Sequence, residues 1–342
     1  MSTSAFRTPS LPAEYRALRV EVEDGVARRS VTRVPFDALP DHDVTVRVRY
    51  SALNYKDALS ASGNRGVTKT FPHTPGIDAA GEVVASRDPR FTPGQEVLCT
   101  GNDLGMNTPG GFGEYIRVPG EWLVPLPTGM DAREAMALGT AAFTAAIALE
   151  CLASVRAGPE LGPFVVTGAS GGVGTMAVAL LARAGYEVVA SSGKPEAEEL
   201  LRALGAARRI GREELAEAAD RPMLRTTYGG GIDTVGGSTL ANLVKSTAVG
   251  GAVAACGLVG GADVALTVFP FILRGVALLG VDTEHTPRQQ RLDTWERLAG
   301  PWRLRDQLAL PGMVREVTLE ELEGPIEEIL AGRVMGRVVV RV

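Results

Sequence analysis

Between residues 165 and 174 the chain reads Val165 Val166 Thr167 Gly168 Ala169 Ser170 Gly171 Gly172 Val173 Gly174. A β-branched run closes on glycines, and Val173, Met176, Ala177, Leu180, Leu181 and Ala184 then recur at helical spacing. Strand, glycine loop and helix in that order can cradle a phosphate. Glycines let backbone N–H groups come close, and the first amides of the helix face the negative charge. Gly171 would admit a pyrophosphate and Gly174 would let the helix pack on its strand, with Ala169 in place of the usual first glycine. A ligand-free glycine turn is the alternative, and the flanking strand and helix weigh against it.

The end of the next apolar run, 186–190, selects the dinucleotide. An NAD site would carry Asp or Glu there to accept the ribose 2′-hydroxyl. This chain has Ser191, Ser192, Gly193 and Lys194, with Glu196 and Glu198 only beyond Pro195. Hydroxyls and an ammonium suit a 2′-phosphate that a carboxylate would repel, so the expected cofactor is NADPH.

Other chemistries lack their residues. His42, His73 and His285 stand apart from one another and from Cys99, Cys151 and Cys256, so no zinc-ligand spacing and no disulfide framework appear, and a reducing cytoplasm is expected. No Ser/His/Asp order points to hydrolysis. The net charge is −5 and no basic run tracks a phosphate backbone, which speaks against nucleic acid. The uncharged stretches 135–149 and 246–262, rich in Gly, Ala and Thr, fall short of a membrane span, and 1–12 lacks the apolar run of a secretion signal.

These residues need elements to hold them. At about 150 residues per domain, 342 residues make two domains. Glycine is enriched, 41 residues, as many turns and close backbone approaches would require. Before residue 130, short β-branched runs at 17–22, 44–48, 81–85, 96–99 and 115–118 alternate with turn residues, including Glu23 Asp24 Gly25. Asp131 followed by Glu134 caps an Ala-rich stretch of one or two helices running to Ser154. Beyond it strands at 164–167, 186–190, 232–235, 252–256 and 276–281 alternate with helices, the pattern of a doubly wound parallel sheet. Helices near 289–298 and 319–330 and a strand at 337–342 close the chain, and that strand is placed to rejoin the first domain.

Three further segments carry a resemblance: Leu53 Asn54 Tyr55 Lys56 Asp57 Ala58 Leu59; Pro75 Gly76 Ile77 Asp78 Ala79 Ala80 Gly81; and Ile232 Asp233 Thr234 Val235 Gly236. With the glycine loop, Gly139 Thr140 Ala141 and Ala255 Cys256 Gly257 Leu258, they resemble the zinc-independent medium-chain dehydrogenase/reductases over nearly everything after Tyr15. The chain is most similar to their NADPH-dependent acrylyl-CoA reductase branch. The resemblance implies an α/β fold: a flexible tail 1–14, a GroES-like β-rich catalytic domain 15–130, a Rossmann domain 131–285, and a return 286–342 to the catalytic domain. It also implies a homodimer, and cofactor contacts at Tyr55, Ser170, Gly171, Gly172, Val173, Gly174, Ser192, Gly193, Lys194, Arg212, Leu258, Ile272, Thr283 and Arg337. In zinc-dependent relatives, ligands occupy the places of Asn54, Ile77 and Asp78, so no metal is expected. Lys194 stands where the family commonly has Arg, and Thr283 where Ser is common.

The reaction implied is hydride transfer to the β-carbon of an enoyl-CoA, with charge developing on the thioester oxygen. Asn54 and Tyr55 are candidate donors to that oxygen, Tyr55 a candidate proton donor or a packing residue, and Asp78 a partly buried carboxylate lining the cleft or a turn cap. Lys56, Arg65 and Lys69 could hold the phosphates of coenzyme A. Two rivals stay open: an NADPH:quinone oxidoreductase on the same scaffold, and a non-catalytic NADPH-binding sensor or structural protein.

Overall fold

The structure is a computed structural model describing residues 11–217 and 219–342. Residues 1–10 of the expected tail lie outside it, and by Glu14 the chain is already in a strand. Strands β1 (Glu14–Glu23) and β2 (Val26–Pro35) pair as a hairpin closed by Asp24 and Gly25, at φ 51° and 78°. Two left-handed residues match the twist of the flanking strands, which is why Asp-Gly sits there.

The main sheet of this unit collects β3 (Val44–Leu53), β4 (Asp78–Ser86), β5 (Glu96–Thr100), β6 (Tyr115–Val118) and β7 (Leu123–Pro125). Helix α1 (Tyr55–Ala61) leaves the end of β3, and α2 (Ala132–Ser154) leads to the second unit. α2 is long and apolar enough to cross a membrane by length and composition, yet 83% of its most apolar window is buried within the fold. Its alanines let the two units close on it, and one core cluster runs from Met130 through Leu152 into Phe164 and Leu180.

The second unit is a six-stranded parallel sheet. In chain order come β8 (Phe164–Thr167), α3 (Gly172–Arg183), β9 (Val188–Ser191), α4 (Glu198–Ala203), β10 (Ala206–Ile210), α5 (Glu213–Ala216), β11 (Tyr228–Asp233), α6 (Gly237–Ser246), β12 (Thr247–Ala255), α7 (Phe269–Arg274) and β13 (Ala277–Gly280). The strand order β10-β9-β8-β11-β12-β13 reverses direction at β8 and β11, the switch point where a doubly wound sheet opens its crevice. The chain then returns through α8 (Arg288–Ala299), α9 (Arg305–Leu308), β14 (Val314–Thr318), α10 (Glu323–Leu330) and β15 (Arg337–Arg341). β15 pairs antiparallel with β3, Val338 opposite Leu53, and parallel with β14. The fold is thus α/β, a GroES-like β unit joined to a Rossmann unit.

Two expectations change. The helix expected over 319–330 divides into a single 3₁₀ turn, Leu319–Glu321, and α10, because Glu321 folds back to accept from the Thr318 N–H at 2.8 Å. β14 gave no sequence signal, since Val314 Arg315 Glu316 Val317 Thr318 is an edge strand with charged residues at its centre.

Candidate active site

β8 ends at Thr167, and the chain turns through Gly168 at φ 59° into α3. A Cβ on Gly168 would lie 2.3 Å from Thr234 Oγ1, and one on Gly174 would lie 2.2 Å from Gly168 O. Both glycines are therefore fixed by contact, while Gly171 and Gly172 carry the open N-terminus of α3. Buried Asp233 sets the neighbouring loop: its carboxylate accepts from Thr167 Oγ1 at 2.7 Å and from the Gly236 N–H at 2.7 Å, and Thr167 Oγ1 accepts from the Thr234 N–H at 2.9 Å. Burial pushes the Asp233 carboxyl up, against the bonds it accepts from Thr167, Gly236 and Val235.

At the tip of β9, Ser192 Oγ donates to Ser170 Oγ at 2.9 Å and accepts from the Lys194 N–H at 3.1 Å. Gly193 lies under Arg212, whose Cδ would be 2.9 Å from a Cβ there. Arg212 is exposed and pairs with no carboxylate among the described residues. Glu198 is turned away, held by Arg202 and Arg209. Lys194 is half-buried, its Nζ donates to Val334 O at 2.7 Å, and burial draws its ammonium below the usual lysine range. Ser170, Ser192, Gly193, Lys194 and Arg212 thus converge at the far end of the loop without an acid among them.

A second cluster forms where β3, β4, α2 and β15 meet. Asp78, at the start of β4, has no exposed surface, which corrects its expected place lining the cleft. Asp78 Oδ1 accepts from Thr140 Oγ1 at 2.6 Å, and both its oxygens accept from the Thr140 N–H at 3.1 and 3.0 Å. That N–H is free because α2 breaks at Gly139, with φ 53° and ψ −159°, a conformation open only to glycine. The half-helix after the break therefore starts with its positive end on the carboxylate.

Asn54 Nδ2 donates to Asp78 Oδ2 at 2.8 Å, and Asn54 Oδ1 accepts from Arg337 Nη1 at 3.1 Å. Its amide is spent inside the cluster, so the expected donation from Asn54 to a substrate oxygen is replaced by a bridging role. Arg337 is buried, donates Nε to Ala137 O at 3.1 Å, and holds Nη2 3.7 Å from Asp78 Oδ2. Nη2 makes no hydrogen bond although it is buried. Nη1 would stand 3.0 Å from a Cβ on Gly172, so this guanidinium joins the acidic cluster to the phosphate loop.

Sequence reading missed Asp57. It sits at the third position of α1, where a carboxylate accepts from the N-cap Asn54 N–H, at 2.8 Å, and the spacing Asn-x-x-Asp was its available signal. Asp57 also accepts from the Ile77 N–H at 2.7 Å and the Gly76 N–H at 3.2 Å. Burial, aided by the nearby Asp78 charge, pushes its carboxyl up to about 7 against these donors. Burial also raises Asp78, opposed first by Arg337, then by Thr140 and Asn54.

The remaining expected residues are dispersed around these clusters. Tyr55 begins α1 with 37% of its surface exposed, free to meet a ligand. Thr283 O accepts from Arg291 Nη2 at 2.9 Å, and Arg291 Nη1 donates to Thr100 O at 2.7 Å, which ties the returning segment to β5. Leu258 follows β12 beside Gly236, and Ile272 lies exposed on α7; no side-chain hydrogen bond joins either to the clusters. Lys56 is 3.4 Å from Glu284 across the two units, Arg65 donates Nη1 to Lys69 O at 2.7 Å and lies over Phe71 with its other donors unspent among the described residues, and Lys69 is exposed.

The chemistry of the cluster does not fit zinc. Asn54 offers a neutral amide, Ile77 no ligand atom, and the positive charge opposite Asp78 is already Arg337. Among the described residues no group of three or more His, Cys, Asp or Glu stands together as a metal site. The loop does fit a dinucleotide: Gly171 and Gly172 leave the N-terminus of α3 without side chains over it, and the Arg337 guanidinium lies beside Gly172.

Residues 40–128 match the alcohol dehydrogenase GroES-like domain, and residues 172–299 match the zinc-binding dehydrogenase domain. The acrylyl-CoA reductase AcuI of Ruegeria pomeroyi is 45% identical over 320 residues, 94% of this chain and 96% of that protein. A Bacillus subtilis protein with the provisional name quinone oxidoreductase YhfP is 43% identical over 327 residues, 96% of this chain and 98% of that protein. The crystal structure of B. subtilis yhfP with NAD bound superposes with a TM-score of 0.92 at 42% identity, covering 97% of this chain and 100% of that one. The yhdH oxidoreductase of Salmonella enterica in complex with NADP gives a TM-score of 0.92 at 45% identity, covering 96% and 99%.

Proposed function

We propose a reaction from a settled premise: the chain belongs to the medium-chain dehydrogenase/reductase family, on its quinone oxidoreductase-like side. It is an NADPH-dependent oxidoreductase that reduces the C=C bond of an α,β-unsaturated acyl-CoA, acrylyl-CoA to propionyl-CoA. The observation that carries this reading is 45% identity to an acrylyl-CoA reductase across 96% of that protein's length.

The cofactor supplies a hydride. The chain supplies its place: the amides of Gly172 and Val173 at the start of α3 for the pyrophosphate, with Gly171 giving room, and Ser192, Gly193, Lys194 and Arg212 for the 2′-phosphate. Arg337, braced by Asn54 and Asp78, sets its Nη1 edge against Gly172, a fixed positive charge beside the pyrophosphate loop. As hydride reaches the β-carbon, negative charge grows on the thioester oxygen, and a fixed donor there lowers the barrier. Tyr55 is the exposed hydroxyl at the start of α1 and takes the part of that donor or of the proton source for the α-carbon. Asn54, Asp57, Asp78 and Thr140 hold the guanidinium instead of touching substrate.

Quinone reduction is the second reading, favoured by the 43% identity to a protein named for it. The experiment mixes purified protein with NADPH and follows reduced-nicotinamide absorbance against acrylyl-CoA, crotonyl-CoA and a benzoquinone, with NADH in parallel. Fast oxidation with acrylyl-CoA and NADPH is expected. A faster quinone arm replaces the substrate assignment, and cofactor binding without turnover in any arm leaves a non-catalytic NADPH binder.

Two further features belong to this reading. The edge strand β13 and the neighbouring α7 expose Val268, Phe269, Ile272, Leu273 and Leu278, an apolar edge suited to a second copy of the chain and thus to a homodimer. Three unpaired cysteines support a reducing, cytoplasmic setting.

A further inference from the structure

The turn that precedes β15, residues 331–336, and Arg337 just after it meet the cofactor site at three points. Lys194 Nζ, from the segment after β9, donates to Val334 O at 2.7 Å. The Gly336 N–H donates to Ser170 O at 3.0 Å. Arg337 follows at once, lying against Gly172 and donating to Asn54 Oδ1 at 3.1 Å. Gly336 itself is pinched, at φ 61° with a hypothetical Cβ 2.3 Å from Met313 O, so the turn has little room to rearrange around it.

We infer that Lys194 is a positioning residue for Arg337 as well as a contact for the 2′-phosphate. Through Val334 it ties the adenosine end of the site to the turn that sets the guanidinium between Gly172 of the phosphate loop and Asn54 at the start of α1. The inference rests on the NADPH reading above. An ammonium has three N–H donors. One is spent on the Val334 carbonyl, and two remain for phosphate oxygens, so both tasks are compatible on one side chain. A 2′-phosphate that draws on Lys194 also bears on the turn, so discrimination between NADPH and NADH acts on kcat as well as on KM.

The test compares wild-type protein with Lys194→Met, using NADH and acrylyl-CoA, because NADH has no 2′-phosphate contact to lose. For a tether, kcat with NADH falls about fivefold, the equivalent of one ~1 kcal/mol hydrogen bond. In the cofactor-free protein, amide hydrogens of 334–337 exchange about fivefold faster in the variant. Wild-type exchange across 334–337 in Lys194→Met overturns the tether, as does an unchanged kcat with NADH. If the wild-type enzyme uses NADH as well as NADPH, the cofactor reading fails instead, and the exchange measurement still decides the tether.

Discussion

Arg337 and Asp78 face each other at 3.7 Å, both buried, from strands at opposite ends of the sequence. Neither charge could be left alone in that setting, because a buried ion without its partner keeps its desolvation cost and loses the compensating attraction. Asp78→Asn is therefore expected to destabilise the protein by about 3–5 kcal/mol in urea unfolding. Adding Arg337→Met should recover part of that loss, and strict additivity of the two losses would show that the pair is not coupled.

The break in α2 exists for this pair. A Cβ on Gly139 would stand 2.6 Å from Asp78 Oδ2 and 2.8 Å from Arg337 Nη2, in a backbone conformation that alanine avoids. Gly139→Ala should cost about 1–3 kcal/mol of stability and weaken NADPH binding measured by calorimetry. A wild-type melting temperature with wild-type affinity would mean that α2 can straighten without disturbing the cluster.

Asp57 gives the cluster a pH dependence. Its folded-state value is raised from 3.8 to about 7, so folding favours the protonated form. The stability it contributes is fully present below about pH 4 and is lost as pH rises to about 7. The free energy of unfolding, wild type minus Asp57→Asn, should therefore fall across that window and level off above it. The difference removes the opposite slope of surface carboxylates such as Asp88, held down near 2 by Arg90. A flat difference would place the Asp57 value in the ordinary range.

At the other end of the loop, Lys194→Glu puts a carboxylate beside the expected 2′-phosphate. The KM for NADPH should rise about tenfold or more, since an attraction becomes a repulsion in a half-buried site. Unchanged steady-state kinetics with NADPH would remove Lys194 from the site.

The apolar edge offers a test of assembly. Ile272→Glu places a charge in the exposed patch on α7 and should convert the proposed dimer to monomer in sedimentation velocity. A wild-type profile would move the interface elsewhere, and a monomeric wild type would leave the patch without a partner copy.

Much of this site was legible as a sequence because its chemistry is local. Thr167 to Gly174 and Ser191 to Lys194 are each a strand end and the turn that follows, so spacing alone implies a phosphate cradle and a 2′-phosphate preference. Asp131 likewise announced α2, and its carboxylate does accept from the Glu134 N–H, at 2.7 Å. Gly139 carried a weaker signal, a lone glycine inside an alanine-rich helix.

The second cluster was legible only as a set of separate residues. From sequence, Asn54 and Asp78 look equally able to face a substrate. What turns them inward is the register of β15 on β3, Val338 opposite Leu53, which carries Arg337 beside Asn54. Burial then decides their roles, since an acid without exposed surface must find donors inside the protein and cannot serve the cleft. Residue types and spacing determined the fold class and the cofactor loop, which depend on neighbours in the chain. The tertiary structure alone decided which polar groups, like Asn54 and Asp78, are spent on each other and which, like the Tyr55 hydroxyl, remain available to a ligand.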